Sequence, residues 1–313
     1  MKRSVLGWNM NKSAWLICLL CFLICCGPKQ AGAKKIIQDG VEADFNHLEA
    51  YITKGELNSL NLEDTFTIDT EKDVSPLLSQ ILEKSAEYCK KLEQVSLHFV
   101  CHEEIKEYIY FVEYALNFID NTYVYDYQLI RNGKSVSEQR ILIEENGLKK
   151  NEKNVELKTK RFKHKFVIFG PIGLLGKNQQ SQYKYKIQKE KKYKGNKCYI
   201  IEIVPKPNER TNYLFGKVWV RQSDFSIMKI EWEQTSMKDF ERVEKEAKKM
   251  GARAQITFVS EYAFEKNGIR FPSRYNVKEE YIHPNWGKEK KSEITVVYKK
   301  YKFFIVDTEV KIK

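Results

Sequence analysis

Gly216-Lys-Val-Trp-Val-Arg221, followed after a short turn by Ser226-Ile-Met-Lys-Ile-Glu-Trp-Glu233, decides the fold. Val218, Val220, Met228, Ile230 and Trp232 alternate with Lys217, Trp219, Arg221, Lys229, Glu231 and Glu233. Successive side chains of a strand point to opposite faces, so the alternation predicts two strands with one apolar and one largely polar face. A sheet solvated on one side and covered on the other fits this pattern, and antiparallel sheets are commonly built so.

The same period extends outward in both directions. Strands are predicted over 182–188, 197–204, 254–265, 269–282 and 292–310, most of them joined by connections of hairpin length. Upstream, 123–130 and 136–143 flank Arg131-Asn132-Gly133-Lys134, and an Asn-Gly pair between β-rich runs is a strong hairpin signal. Lys184, Lys186, Lys299, Lys300 and Lys302 would hinder edge-to-edge pairing of long strands. Two helices frame the meander. Ser75-Pro76 supplies an N-cap and a first-turn proline for Leu78, Ile81, Leu82, Ala86, Cys89 and Leu92, and Phe240, Val243, Ala247 and Met250 mark a charged helix within 237–250 that ends at Gly251. The fold class expected is α+β, mainly antiparallel β.

Residues 166–176, Phe-Val-Ile-Phe-Gly-Pro-Ile-Gly-Leu-Leu-Gly, are strongly apolar yet too punctuated by Gly and Pro for one regular element. They read either as an apolar flap over the sheet or as a buried loop plugging its core.

The amino terminus sets the compartment. Lys2, Arg3 and Lys12 precede a short apolar run from Trp15 to Cys26, and Ala31-Gly32-Ala33 offers a cleavage site, so 1–33 is read as a signal peptide. The run is shorter than the roughly 20 apolar residues that span a bilayer. A lipidated Cys26 is the alternative reading, which would anchor the chain to the outer membrane instead of freeing it into the periplasm. Residues 34–74 are expected to form a helical connector and 75–313 the main domain.

Loss of the leader removes four of the twelve net positive charges and Cys18, Cys21, Cys25 and Cys26. The remaining Lys and Arg are interspersed with Glu, which describes a solvated surface better than a nucleic-acid groove, while contact with an anionic membrane surface stays open. Cys89 and Cys101 are the disulfide candidate in an oxidising compartment. On one continuous helix they would lie about 18 Å apart, so a bridge requires the helix to stop near Gln94 and the chain to fold back. Cys198 is then a small buried apolar residue.

Catalytic signatures are missing: no HExxH, no Gly-x-Ser-x-Gly, no P-loop and no dinucleotide fingerprint. His98 and His102 would share a helix face, but on a strand they are only the solvated side of Leu97, Phe99 and Cys101, so neither a metal nor a cofactor is expected. The reading is of a protein that is not an enzyme.

Gly195-Asn-Lys-Cys198-Tyr-Ile-Ile-Glu-Ile-Val204-Pro205, then the Trp219 and Ile230 strands, together with Asn267-Gly268-Ile-Arg-Phe271-Pro272 and Tyr298-Lys-Lys-Tyr301-Lys-Phe303, resemble the LolA/LolB superfamily of periplasmic lipoprotein-sorting proteins. The resemblance covers roughly residues 75 to 310. It implies an incomplete, half-open β-barrel whose concave apolar face, capped by helices, holds the acyl chains of a lipid or lipoprotein. The residues expected at that face are Val218, Val220, Met228, Ile230 and Trp232, with Phe169, Ile172, Leu174 and Leu175 as flap. A monomeric carrier is the first expectation. An envelope interaction or sensor module with a filled core is the second.

Overall fold

A computed structural model describes residues 75–110, 118–132, 135–207, 214–238 and 240–304. The leader and the connector expected over 34–74 lie outside the described residues. Helix α1, Pro76–Val95, forms where the sequence signals it: the Ser75 hydroxyl accepts from the Leu78 N–H, and Pro76 occupies the first turn. Leu78, Ile81, Ser85, Tyr88, Cys89 and Leu92 form its buried stripe. The Ser96 hydroxyl then donates to the Glu93 carbonyl where the helix stops.

The chain turns back at once into β1, Phe99–Tyr110, and a meander follows through β2, Phe118–Asn132, β3, Ser135–Glu145, and β4, Leu148–Lys153. After a crossing segment come β5, Tyr183–Tyr193, β6, Asn196–Pro205, β7, Gly216–Arg221, and β8, Ile227–Trp232. Next are β9, Arg253–Glu261, the small hairpin β10, Phe264–Lys266, and β11, Ile269–Phe271, then β12, Arg274–His283, and β13, Gly287–Phe303. Eleven strands join in one sheet of order β4-β3-β2-β1-β13-β12-β9-β8-β7-β6-β5, every neighbouring pair antiparallel. The sheet does not close on itself. Two short helices complete the fold: α2, Gly170–Leu175, and α3, Phe240–Lys249, which rests on β9 through Val243 and Ala247.

The predicted α+β class with a mainly antiparallel, unclosed sheet is what the chain adopts. Its boundaries differ in physically simple ways. The expected strands 254–265 and 269–282 are each divided, because the tight Asn267-Gly268 turn, with both residues at positive φ, folds β10 onto β11 outside the main sheet. Strand β4 gave no sequence signal, since all six of its residues are exposed and it has no face to bury.

Following the register across the ladder fixes one inner face. Val218, Ile230, Ser260, Tyr275, Val296, Ile105 and Tyr123 stand in one row, and Trp232, Phe258, Val277, Ile294 and Glu107 in the next row on the same side. Nearly all are buried. At one end of this face Phe99, Phe271, Tyr301 and Phe303 pack in edge-to-face, tilted and, for Tyr301 on Phe303, stacked geometry, with ring centroids 5.1–6.2 Å apart.

Two expectations are corrected. Met228 does not share the face of Val218, Val220 and Ile230. The ladder pairs Trp219 with Lys229 but Val220 with Ile227, so Met228 is the extra residue of a bulge and turns to the outer side. There it is buried with Cys198, Ile200 and Trp219 under Tyr193. The Cys89–Cys101 bridge is not formed either. The chain does fold back after Val95, but all three described cysteines are free and buried. Cys89 faces the crossing segment, its Sγ 3.4 Å from the Pro171 carbonyl, while Cys101 lies on β1 beside Tyr301.

Candidate functional site

The inner face is covered by two consecutive stretches of one crossing segment, and their chemistry differs. The first, 154–166, lies over the half of the sheet built from β1, β2, β3, β12 and β13. Here the sheet presents charge. Arg140 holds Glu103 through two contacts of 2.6 and 3.2 Å and Glu138 at 2.9 Å, and His164 from the covering segment reaches Glu103 at 2.8 Å. Glu103, Arg140 and His164 are all buried. Burial alone would raise the Glu103 pKa, but the Arg140 guanidinium and then His164 outweigh it and hold the carboxyl well below its ordinary range.

Further along, one carboxylate oxygen of the fully buried Glu107 accepts the backbone N–H groups of Lys160 and Arg161. Arg161 itself pairs with Glu279 through two nitrogens and with Glu246 of α3. Buried charges that are paired and hydrogen-bonded are costly to disturb one at a time, so this half of the segment is fixed.

The second stretch is apolar. Val167–Phe169 forms a single 3-10 turn and runs directly into α2. Val167, Ile168, Pro171, Leu174 and Leu175 are buried between α1 on one side and the sheet on the other, with Phe169 and Ile172 half-buried at the margin. The fit on the sheet is close. A Cβ at Gly170 would stand 2.7 Å from Tyr262 Oη, 3.0 Å from Trp232 Cζ2 and 3.3 Å from Ile230 Cδ1, which is why glycine begins α2.

Four polar contacts hold the flap. The Tyr262 hydroxyl donates to the Val167 carbonyl at 2.8 Å, the Tyr185 hydroxyl to Leu174 at 2.7 Å, the Gln180 amide to Leu175 at 3.0 Å, and the Cys89 thiol reaches Pro171. Burial pushes the Tyr262 and Tyr185 phenols and the Cys89 thiol up from their ordinary pKa values, so these tethers are neutral hydrogen bonds. The junction between the two stretches is Phe166, which has left-handed backbone at φ 52°. A bulky residue held there stores on the order of 1–3 kcal/mol of strain. Glu138 maintains it by accepting the Phe166 N–H at 2.6 Å while also taking the Tyr127 hydroxyl.

Four of the five sheet residues expected at an apolar concavity are brought together. Val218, Val220 and Ile230 are fully buried on the inner face, and Trp232 is half-buried there, its indole N–H bonded to Ser260 Oγ at 2.9 Å. Met228 lies behind them on the outer side. Leu174 and Leu175 close the compartment from above. Tyr185 and Tyr262 carried no signal in the sequence. Cys89 was expected on the buried stripe of the first helix and Gly170 in the apolar Gly-Pro run, but their contacts with the flap and the sheet were not.

His98 lies exposed in the bend before β1, and His102, on β1, is partly exposed and pairs with Asp126 at 3.2 Å. Among the described residues no group of three or more His, Cys, Asp or Glu side chains is arranged to hold a metal ion, and no helix is long and apolar enough to cross a membrane.

A family model described only as that of an uncharacterized protein matches residues 174–265. No curated protein matches the chain. Among solved structures the chain is similar to a DUF1329 family protein from Desulfovibrio piger, at 12% identity and a TM-score of 0.36, covering 74% of this chain and 95% of that one. It is also similar to a domain from Vibrio parahaemolyticus described as an outer-membrane lipoprotein-sorting protein, at 10% identity and a TM-score of 0.34 over 74% and 95% of the two chains. A third similar structure is a LolA superfamily protein from Nitrosomonas europaea, at 15% identity and a TM-score of 0.32 over 75% and 97%.

Proposed function

We propose that the protein is an exported, non-catalytic carrier of the bacterial envelope that takes the acyl chains of a lipid or lipoprotein into the compartment between α1 and the sheet. One observation carries this reading. The compartment is lined by Val218, Val220, Ile230 and Trp232, and its occupant is an apolar flap of the protein's own, attached mainly by neutral hydrogen bonds. The flap stands where a cargo chain would lie.

The energies make exchange feasible. Moving Val167, Ile168, Leu174 and Leu175 back into water would cost roughly 6–12 kcal/mol, at about 1.5–3 kcal/mol per side chain. Burying an acyl chain of about 16 carbons would return about 13 kcal/mol relative to water, at about 0.8 kcal/mol per methylene. The two are of the same order, so an acyl chain can supply what displacing the flap costs. The ion-paired first stretch would stay in place and serve as the hinge.

Native mass spectrometry of protein purified from its own envelope, followed by lipid extraction, tests the proposal. A bound lipid that is lost when Ile230 is replaced by a charged residue supports it. Absence of bound lipid, with no displacement of the flap on incubation with lipid, overturns it.

A second reading rests on a different observation. The polar half of the inner face is filled by the Glu103–Arg140–His164 network, as expected of an interaction or sensor module with a filled core. That module would keep the flap in place whatever lipid is offered.

A further inference from the structure

The end of the sheet where β12 turns into β13 carries an apolar and basic surface unrelated to the flap compartment. His283 and Gly287 are the last ladder pair, leaving Pro284, Asn285 and Trp286 as a three-residue loop closed by Gly287 at φ 87°. Trp286 is 71% exposed, the most exposed large apolar side chain among the described residues. It is nevertheless held in position, its ring 4.0 Å from that of His283, which in turn contacts Glu289 at 3.0 Å. A rigidly presented tryptophan at a hairpin tip costs little further ordering when it meets a partner.

The neighbouring strand supplies the charge. Arg253 at the start of β9 pairs with Ile282, so the turn between α3 and β9 lies beside the hairpin. That turn reads Lys248-Lys249-Met250-Gly251-Ala252-Arg253, with both lysines, Met250 and Arg253 exposed, and Lys288 is exposed on the hairpin itself. The acids at this end are engaged. Glu289 is taken by His283 and Lys291, and Glu244 by the Ala254 N–H, with Lys248 a further 3.5 Å away. Lys248 is thus partly balanced by Glu244, but with Lys249, Arg253 and Lys288 the surface carries an excess of positive charge around an amphipathic ring, the combination that sits at the headgroup level of a bilayer.

We infer that the Trp286 hairpin tip and the adjoining 248–253 turn dock the protein on an anionic lipid bilayer. Phosphate-bearing headgroups meet Lys248, Lys249, Arg253 and Lys288, while Trp286 and Met250 enter the interface. This docking uses none of the flap-compartment residues, so it and the cargo proposal can fail separately.

Vesicle co-sedimentation of the full chain tests it, comparing phosphatidylcholine alone with phosphatidylcholine mixed with phosphatidylglycerol. Binding is expected only with the anionic vesicles and should weaken as salt is raised. Removing three charges in the combined variant K248Q, K249Q and R253Q should lower partitioning on the order of 100-fold, from about 1 kcal/mol per basic residue near the surface. W286A should lower it several-fold. All of these side chains are exposed, and circular dichroism confirms that each variant is folded. Unchanged partitioning in both variants, or absence of binding to anionic vesicles, overturns the inference. Tighter retention by an RNA oligomer than by anionic vesicles at matched charge overturns the lipid assignment.

Discussion

The Tyr262 hydroxyl donates to the Val167 carbonyl across 2.8 Å, joining the end of β9 to the root of the flap. The bond is fully buried, so removing the donor leaves the carbonyl without this donor in a dry site. Tyr262→Phe should therefore cost about 1–3 kcal/mol in denaturant unfolding. Amide hydrogen exchange should locate the effect, with faster exchange over 166–176 and little change in β1 or β13. Uniform loss of protection across the sheet would show that the tether is not local to the flap.

Gly170 tests the closeness of the same packing from the other side. Gly170→Ala places a methyl group 2.7 Å from Tyr262 Oη and 3.0 Å from Trp232. The expected cost is about 1–3 kcal/mol, as for overpacked cores. Because Trp232 is one of the two rings struck, a changed tryptophan emission should accompany the lower midpoint. Wild-type stability in this variant would mean that the flap already stands off the sheet.

The Glu103 carboxyl gives the polar half a pH signature. Its folded pKa lies below its ordinary value of 4.5, so the stabilisation it contributes is present above that pH and is lost as the pH falls below it. Glu103→Gln should destabilise the protein by about 3–5 kcal/mol at neutral pH, since it leaves Arg140 short of one buried partner. Between pH 4.5 and lower values the variant should then lose less stability than the wild type. Parallel pH profiles for the two proteins would place the acid sensitivity elsewhere.

Cys89 reports on flap opening. Its thiol lies behind Pro171, and burial raises its pKa, so it should react with iodoacetamide far more slowly than a free surface thiol. Peptide mass spectrometry resolves it from the other cysteines. Added phospholipid or detergent monomers should accelerate alkylation of Cys89 while leaving Cys198, buried on the outer side of the sheet, unaffected. Equal acceleration at both would indicate general unfolding instead of cargo entry.

Much of this architecture is legible in the sequence because its elements obey local rules. Ser75-Pro76 and the stripe from Leu78 to Leu92 announce α1, and the alternation around Val218 and Ile230 announces a one-sided sheet. What was hidden depends on pairings between distant residues. Strand β4 has no buried face to impose a period and exists only because β3 offers it hydrogen bonds. Arg140, Glu103 and His164 look like ordinary surface residues until β1, β3 and the crossing segment are stacked together. The Cys89–Cys101 expectation failed for the same reason. Nearness in sequence suggested the pair if the chain folded back after Gln94, whereas the fold assigns one thiol to the helix facing the flap and the other to the sheet.

The bulge at Met228 has a consequence for how this chain can vary. In a regular stretch of ladder, dropping one residue reverses every side chain beyond it. At β8 the opposite holds, because Ile227 already faces Val220 and Lys229 already faces Trp219. Loss of Met228 would leave Ile230 and Trp232 on the side they now occupy, at the expense only of the methionine packed against Cys198 and Ile200. Relatives of this protein can therefore differ in length at this one point of the wall and still keep the same lining.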